Sequence, residues 1–141
     1  MTIQGIPAGG FKTVGEIVGT NSLQFSPGQE ALSIAVELLS AHTSGGPVVS
    51  DEGKFLGFIS EYDLLEAVDS GKDLSKLKAK EIMNTAPISV NEDTSLSESV
   101  KLMKEHHLLV LPVINGGNVV RSITRHDLLR AWVGLGLSGE D

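Results

Sequence analysis

Apolar positions along this chain follow two rhythms, which alternate in the same order twice. Ala31, Ile34, Ala35, Leu38 and Leu39 recur at i, i+3, i+4, i+7 and i+8, predicting an amphipathic helix that runs to about His42. Ser26-Pro27-Gly28-Gln29 ahead of it offers a cap, a proline at the first helical position and a capping-box glutamine. Leu96, Val100, Met103 and His107 mark the same face in a second helix behind Ser95…Glu98, and Met103 reads as core. Each helix is preceded by a short alternating strand, Ser22–Phe25 and Pro87–Val90, and by a helical lead-in, Val14–Val18 and Ala79–Met83.

After each helix the rhythm changes from 3.6 to 2. Pro47-Val48-Val49, a turn at Ser50–Gly53 and Lys54–Ile59 form one predicted hairpin. Leu111–Ile114, Asn115-Gly116-Gly117 and Asn118–Val120 form its twin, with Asn-Gly as a strong turn signal. Each hairpin runs into a closing helix, about 61–69 and 125–133. Ser70–Asp73 ends the first of these, Leu74–Lys78 links the copies, and Gly134 stops the last before a tail over 135–141. Residues 1–12, with Gly5, Pro7, Gly9 and Gly10, read as a flexible arm that is loose or pairs at a sheet edge.

The clearest sign of duplication lies where strand meets helix. Gly57-Phe58-Ile59-Ser60-Glu61-Tyr62-Asp63-Leu64-Leu65 returns as Arg121-Ser122-Ile123-Thr124-Arg125-His126-Asp127-Leu128-Leu129, with the aspartates 64 residues apart (127 − 63). The division that follows is an arm (1–12), a first repeat (13–73), a second repeat (74–134) and a tail (135–141). Neither half is large enough to bury its sheet face alone, so the two are expected to pack together.

Composition narrows the functions. The 141 residues suffice for one domain or two small merged ones, and with 40% hydrophobic and 4% aromatic residues the core must be aliphatic. The absence of cysteine removes disulfides, thiolate catalysis and cysteine-based zinc sites. His42, His106, His107 and His126 lack metal-ligand spacing. No nucleophile with an arranged base, phosphate-binding glycine loop or dinucleotide fingerprint is present, so catalysis is not expected. A net charge of −7 and a pI of about 5.0 disfavour nucleic acid as partner. With no signal-peptide pattern and no membrane-spanning run, a soluble cytoplasmic protein is expected.

Two β-α-β-β-α copies carrying "AVELL…PVV…GFISEYDLL" and "SVKLM…LPVI…SITRHDLL" resemble a tandem cystathionine-β-synthase (CBS) domain pair, or Bateman module, over about residues 13–134. The resemblance implies an α/β (α+β) fold in which two repeats pack as one pseudo-twofold module. It further implies a non-catalytic regulatory protein, homodimeric, that signals to an unidentified partner. The ligand class it implies is an adenine nucleotide (AMP, ADP or ATP) held in a cleft between repeats. An S-adenosylmethionine or NAD-type sensor and a ligand-free dimeric scaffold are the alternatives. Carried over by position, Ser60 and Thr124 face phosphate or ribose, and Asp63 and Asp127 accept from the ribose hydroxyls. Pro47-Val48 and Pro112-Val113 line the base.

That chemistry is sound in itself: one carboxylate can accept from two adjacent hydroxyls, and a glycine such as Gly57 lets a planar ligand approach the backbone. The copies differ, however. Arg121 replaces the glycine of the second motif, and Tyr62 and His126 stand where the family often has arginine. Gly45-Gly46 stands against Val110-Leu111. Arg121, Arg125 and His126 are therefore the candidate phosphate contacts of the second copy. Ser60…Asp63 and Thr124…Asp127 also serve as plain capping boxes. Tyr62 and Trp132 are expected to pack at a repeat or dimer interface.

Overall fold

The computed structural model describes residues 12–17, 19, 21 and 23–132. The arm over 1–11, the tail over 135–141, Gly134 and Val133 of the last predicted helix lie outside the described residues. In chain order the elements are α1 (Ala31–Ala41), β1 (Gly45–Val49), β2 (Phe55–Ser60), α2 (Glu61–Asp69), α3 (Ala79–Ile82), α4 (Leu96–His106), β3 (Val110–Asn115), β4 (Asn118–Thr124) and α5 (Arg125–Trp132). Single 3-10 turns occupy Val14–Glu16 and Leu74–Lys76. They form two compact units. Among the described residues one, the first-repeat unit, takes 23–87 with 116–119; the other, the second-repeat unit, takes those of 12–21, 88–115 and 120–132.

In the first-repeat unit β1 and β2 pair antiparallel, with Gly45 opposite Ser60 and Val48 opposite Gly57. The register slips between Val48 and Val49, leaving Leu56 as the extra residue of a bulge. The strand predicted at 22–25 shrinks to one residue among those described: Phe25 bridges Val48 in parallel, donating to the Pro47 carbonyl (2.9 Å) and accepting from Val49 (2.8 Å).

Helix α1 begins at Ala31, later than its cap signal suggests. Pro27 and Gly28 are instead spent on a turn, closed by Gln29 N–H to the Ser26 carbonyl at 3.1 Å. Glu30 is extended, and Ala31 N–H donates to the Leu77 carbonyl at 2.9 Å. A neighbouring segment, not a side chain, thus satisfies the helix start. At its other end His42 adopts the left-handed conformation (φ 53°), as His107 does after α4 (φ 54°). His107 is exposed here, a helix stop and not part of the apolar face.

Phe25, Ala31, Ile34, Leu38, Val48, Ile59, Leu64 and Ala79 form this unit's core. Leu39, on the edge of the predicted stripe, is 69% exposed. The link at 74–78 joins the fold: Leu74 and Leu77 pack on the core.

The second-repeat unit repeats the plan. Its β3 and β4 are joined through residues 116 and 117, which count with the other unit; both have positive φ (62° and 86°), so the turn requires its two glycines. Val90 alone represents the strand predicted at 87–90, bridging Val113 in parallel. Ser95 caps α4 by accepting from Glu98 N–H at 3.0 Å. Ile17, Leu96, Met103, Leu111, Val113, Ile123 and Leu128 lie in the core, with Val14 wholly buried.

The lead-ins belong to these units in an order the sequence repeat does not suggest. Residues 14–15 sit in the second-repeat unit, where Val14 and Gly15 donate to the Thr94 and Glu92 carbonyls, both at 2.8 Å. Helix α3 sits in the first-repeat unit, where Ala79 N–H donates to Gln29 (2.8 Å), and Phe58 and Asn84 exchange backbone bonds of 3.0 and 2.8 Å. No helix among the described residues is long and apolar enough to cross a membrane.

Candidate functional site

Strand β2 delivers Ser60 to the start of α2 in extended conformation (φ −110°, ψ 165°). There its hydroxyl accepts from Asp63 N–H at 3.3 Å. Asp63 Oδ2 in turn accepts from Ser60 N–H at 2.8 Å and from the Ser60 hydroxyl at 3.1 Å. All three bonds to the Asp63 side chain or its cap run through Oδ2 and Ser60, and Asp63 is half-buried. The second oxygen, Oδ1, takes no part in the cap. Tyr62 beside it is 81% exposed.

The second copy is built alike but closed. Thr124 N–H donates to Asp127 Oδ2 at 2.9 Å, and Asp127 N–H to Thr124 Oγ1 at 3.0 Å. Asp127, however, is only 2% exposed. A carboxylate this buried is stable only while its hydrogen bonds are filled, and it offers solvent almost nothing.

Several other candidates take positions that change their meaning. Val48 and Val113 are 0% exposed, and Pro47 and Pro112 are fully buried. The four residues expected to line a base are therefore hairpin interior. The space in front of Gly57 is taken by the chain itself. A Cβ there would lie 2.7 Å from Met83 Sδ and 2.9 Å from the Asn84 carbonyl oxygen. The chain's own α3 exit fills the space, and a side chain on Gly57 would collide with it.

Arg121, at the matching position, is engaged within its own unit. Its Nη1 pairs with Glu92 Oε1 at 2.7 Å and its Nη2 donates to the Val14 carbonyl at 3.4 Å. The arginine fits because the lead-in opposite carries Gly19. A Cβ on Gly19 would lie 3.2 Å from Arg121 Cδ and 2.6 Å from the Ser122 carbonyl oxygen. Glycine has moved from one partner to the other. Gly45 and Gly46 follow the same rule. Added Cβ atoms there would meet the rings of Phe58 (2.8 Å) and Phe25 (3.0 Å), whereas the second repeat has Val110 and Leu111, with the smaller Ser122 and Val90 at the positions equivalent to the two phenylalanines. Arg125 and His126 remain exposed on the first turn of α5. Among the described residues no group of three or more His, Cys, Asp or Glu side chains could hold a metal ion.

Two hairpin-and-helix repeats, each closed by a hydroxyl–carboxylate box at a strand–helix junction, define a tandem-repeat α/β module. The chain belongs to the CBS domain family: the family model matches residues 14–70 and 79–134. It is 30% identical to the CBS domain-containing protein CBSX1 of Arabidopsis thaliana, over 99% of this chain and 72% of that one. It is 29% identical to a protein of Methanopyrus kandleri, over 84% of this chain. The chain spans 61% of that relative's length and 24% of the length of one from Methanocaldococcus jannaschii. Among solved structures it resembles CBSX2 in complex with AMP (TM-score 0.73, 25% identity, 88% of this chain and 97% of that). It also resembles the CBS domain pair of MJ0100 in complex with 5′-methylthioadenosine and S-adenosyl-L-methionine (TM-score 0.76, 22% identity, 88% and 98%). The fold is thus the mixed α/β fold of CBS pairs.

Proposed function

We propose that this CBS pair is a regulatory, non-catalytic module that binds an adenosine-containing ligand of the AMP, ADP or ATP class through the ribose. The observation that carries this reading is the asymmetry of the two aspartates. Asp63 is half-buried and keeps an oxygen that its cap does not use, whereas Asp127 is enclosed. Ser60 and Asp63 are accordingly the ribose contacts, with Asp63 accepting from the adjacent hydroxyls, and Thr124–Asp127 is a structural cap. Arg125 and His126 are exposed at the corresponding place in the second-repeat unit. The AMP complex of CBSX2 supports the ligand class, and the adenosyl complexes of MJ0100 keep S-adenosylmethionine in the same panel. Ligand would act by binding one conformation of the module more tightly, a difference that a partner protein reads.

Thermal unfolding with AMP, ADP, ATP, S-adenosylmethionine, NADH and a GTP control tests the reading. Ligand at a hundred times its Kd stabilises the fold by about 2.7 kcal/mol, a shift of several degrees. The binding ligand's 2′-deoxy analogue should bind about 10- to 100-fold more weakly, since a hydrogen bond to a charged acceptor is lost. An unchanged affinity would remove Asp63 from the ribose.

The full burial of Pro47, Val48, Pro112 and Val113 favours a second reading, a dimeric interaction scaffold whose hydroxyl–aspartate pairs only cap helices. No midpoint shift with any of the six compounds at millimolar concentration would give that reading the lead.

A further inference from the structure

Two side chains of the second repeat depart from the first in charge and meet at one end of an apolar groove. Lys104 on α4 stands where the first repeat has Leu39, and Arg125 on α5 where it has Glu61. The groove, of about 340 Å³, lies between α4 and α5 within the second-repeat unit. Its lining is otherwise apolar: Val100, Met103, Leu108, Leu128, Leu129 and Trp132. Met103 and Leu128 are core residues, 7% and 4% exposed, and form the floor, whereas Leu129 and Trp132 stand as walls at 62% and 51%.

Arg125 N–H donates to the Leu109 carbonyl at 3.1 Å, so α5 starts beside the point where α4 has ended. The two helices therefore pass the groove in opposite directions. Lys104, Leu108 and Arg125 lie at one end of it, and Val100 and Trp132 at the other. From Arg125 to Trp132 the groove follows α5 for about 10 Å. Neither Lys104 nor Arg125 forms an ion pair with another described residue.

Two like charges at the end of an apolar trough call for a ligand with two parts. An apolar body covers side chains that otherwise face water, and an anionic head between the cations gains charge-assisted hydrogen bonds. An inorganic anion would leave the apolar lining wet, and a neutral apolar molecule would leave the cations unmatched. A volume of this size falls at the small end of those that hold small molecules. We propose that the groove binds a medium-chain carboxylate, an unbranched fatty acid whose chain lies along Leu128 and Leu129 toward Trp132 and whose carboxylate pairs with Lys104 and Arg125. The first repeat is not equipped for the same ligand, because Leu39 brings no charge and Glu61 would repel it. The proposal does not rest on the adenosine reading, and its probe carries neither base nor ribose.

Trp132 is the single tryptophan of the chain and lines the groove, so its fluorescence reports occupancy. Decanoate, titrated below its micellar concentration, should move the emission to shorter wavelength and saturate. Octanoate should bind roughly tenfold more weakly, for two methylene groups fewer. Decanol should also bind about tenfold more weakly, because it brings no charge to the two cations.

Lys104→Gln with Arg125→Gln should weaken decanoate about tenfold or more and leave decanol within about threefold of its wild-type affinity. Both side chains are exposed, so the melting temperature of this variant should match the wild type. No saturable shift with decanoate, equal affinities for decanoate and decanol, or an unchanged decanoate affinity in the variant would each overturn the proposal. So would an emission that responds to protein concentration instead, which would seat a second copy in the groove, or one that responds to removal of residues 135–141.

Discussion

At the scale of the residue, this protein reuses one motif with two degrees of closure. Ser60–Asp63 and Thr124–Asp127 make the same local bonds, yet one carboxylate is half-open and the other enclosed. Removing them should therefore cost differently. Asp63→Ala loses a helix cap and should lower stability by about 1 kcal/mol. Asp127→Ala removes a buried carboxylate and leaves the part-buried Thr124 N–H without that acceptor, and should cost about 1 to 3 kcal/mol. Urea denaturation of both variants measures the difference, and equal losses would contradict the burial contrast.

Gly57→Val gives a second test at this scale. Its Cβ would strike the backbone oxygen of Asn84 as well as the Met83 side chain, so overpacking should cost about 1 to 3 kcal/mol. Met83→Ala should rescue only part of that loss, because trimming Met83 leaves the Asn84 oxygen in place. The doubled motif and its hydroxyl–aspartate pairing were legible in the sequence. The true neighbour of Gly57 was not, because Met83 and Asn84 carry no pattern that announces contact with a strand so far back in the chain.

At the scale of the element, the sequence pattern located α1 to α5 and both hairpins among the described residues, read the 3-10 turn at Leu74–Lys76 as a link, and misjudged starts and partners. The Ser-Pro-Gly-Gln signal precedes α1 but builds a turn, because Leu77 supplies the acceptor that a side-chain cap would otherwise replace. The strands predicted at 22–25 and 87–90 were drawn from alternation alone, and each contributes one bridging residue, Phe25 and Val90, among those described. The lead-in turn at Val14–Glu16 is held by Glu16 Oε1, which accepts from Lys12 and Thr13 N–H, both at 2.9 Å. Those backbone bonds, that of Lys12 first, hold its carboxyl below the ordinary value of 4.5.

A group whose pKa is depressed by folding contributes stability above its unfolded value and loses it as pH falls through the folded one. Glu16→Gln should therefore lower the melting temperature at pH 7, with the deficit shrinking once pH drops below 4.5. Melting curves of both proteins from pH 7 to pH 3 check this. A deficit independent of pH would mean that charge plays no part in holding the turn.

At the scale of the whole molecule, the sequence repeat and the compact units divide the chain differently. A fragment cut as the repeat suggests, 13–73, carries a lead-in that packs with residues 92–96 and lacks the α3 segment that covers Gly57. A fragment over 23–87 keeps α1, α2, the first hairpin and α3 together. Circular dichroism should show more helix and a steeper thermal transition for 23–87 than for 13–73; the reverse order would count against the assignment of lead-ins. That assignment could not be read from the sequence, since equivalent lead-ins at Val14 and Ala79 fit either hairpin by local pattern.

The exchange of lead-ins also bears on how the protein is made. A chain emerging from the ribosome presents residues 23–87 as a nearly self-sufficient set, able to collapse before the rest is synthesised. Residues 13–17 have no such option: their backbone partners, Glu92 and Thr94, are translated much later. Residues 13–15 must wait for 92–95, so the apolar side chains Val14 and Ile17 stay exposed until that segment has been made.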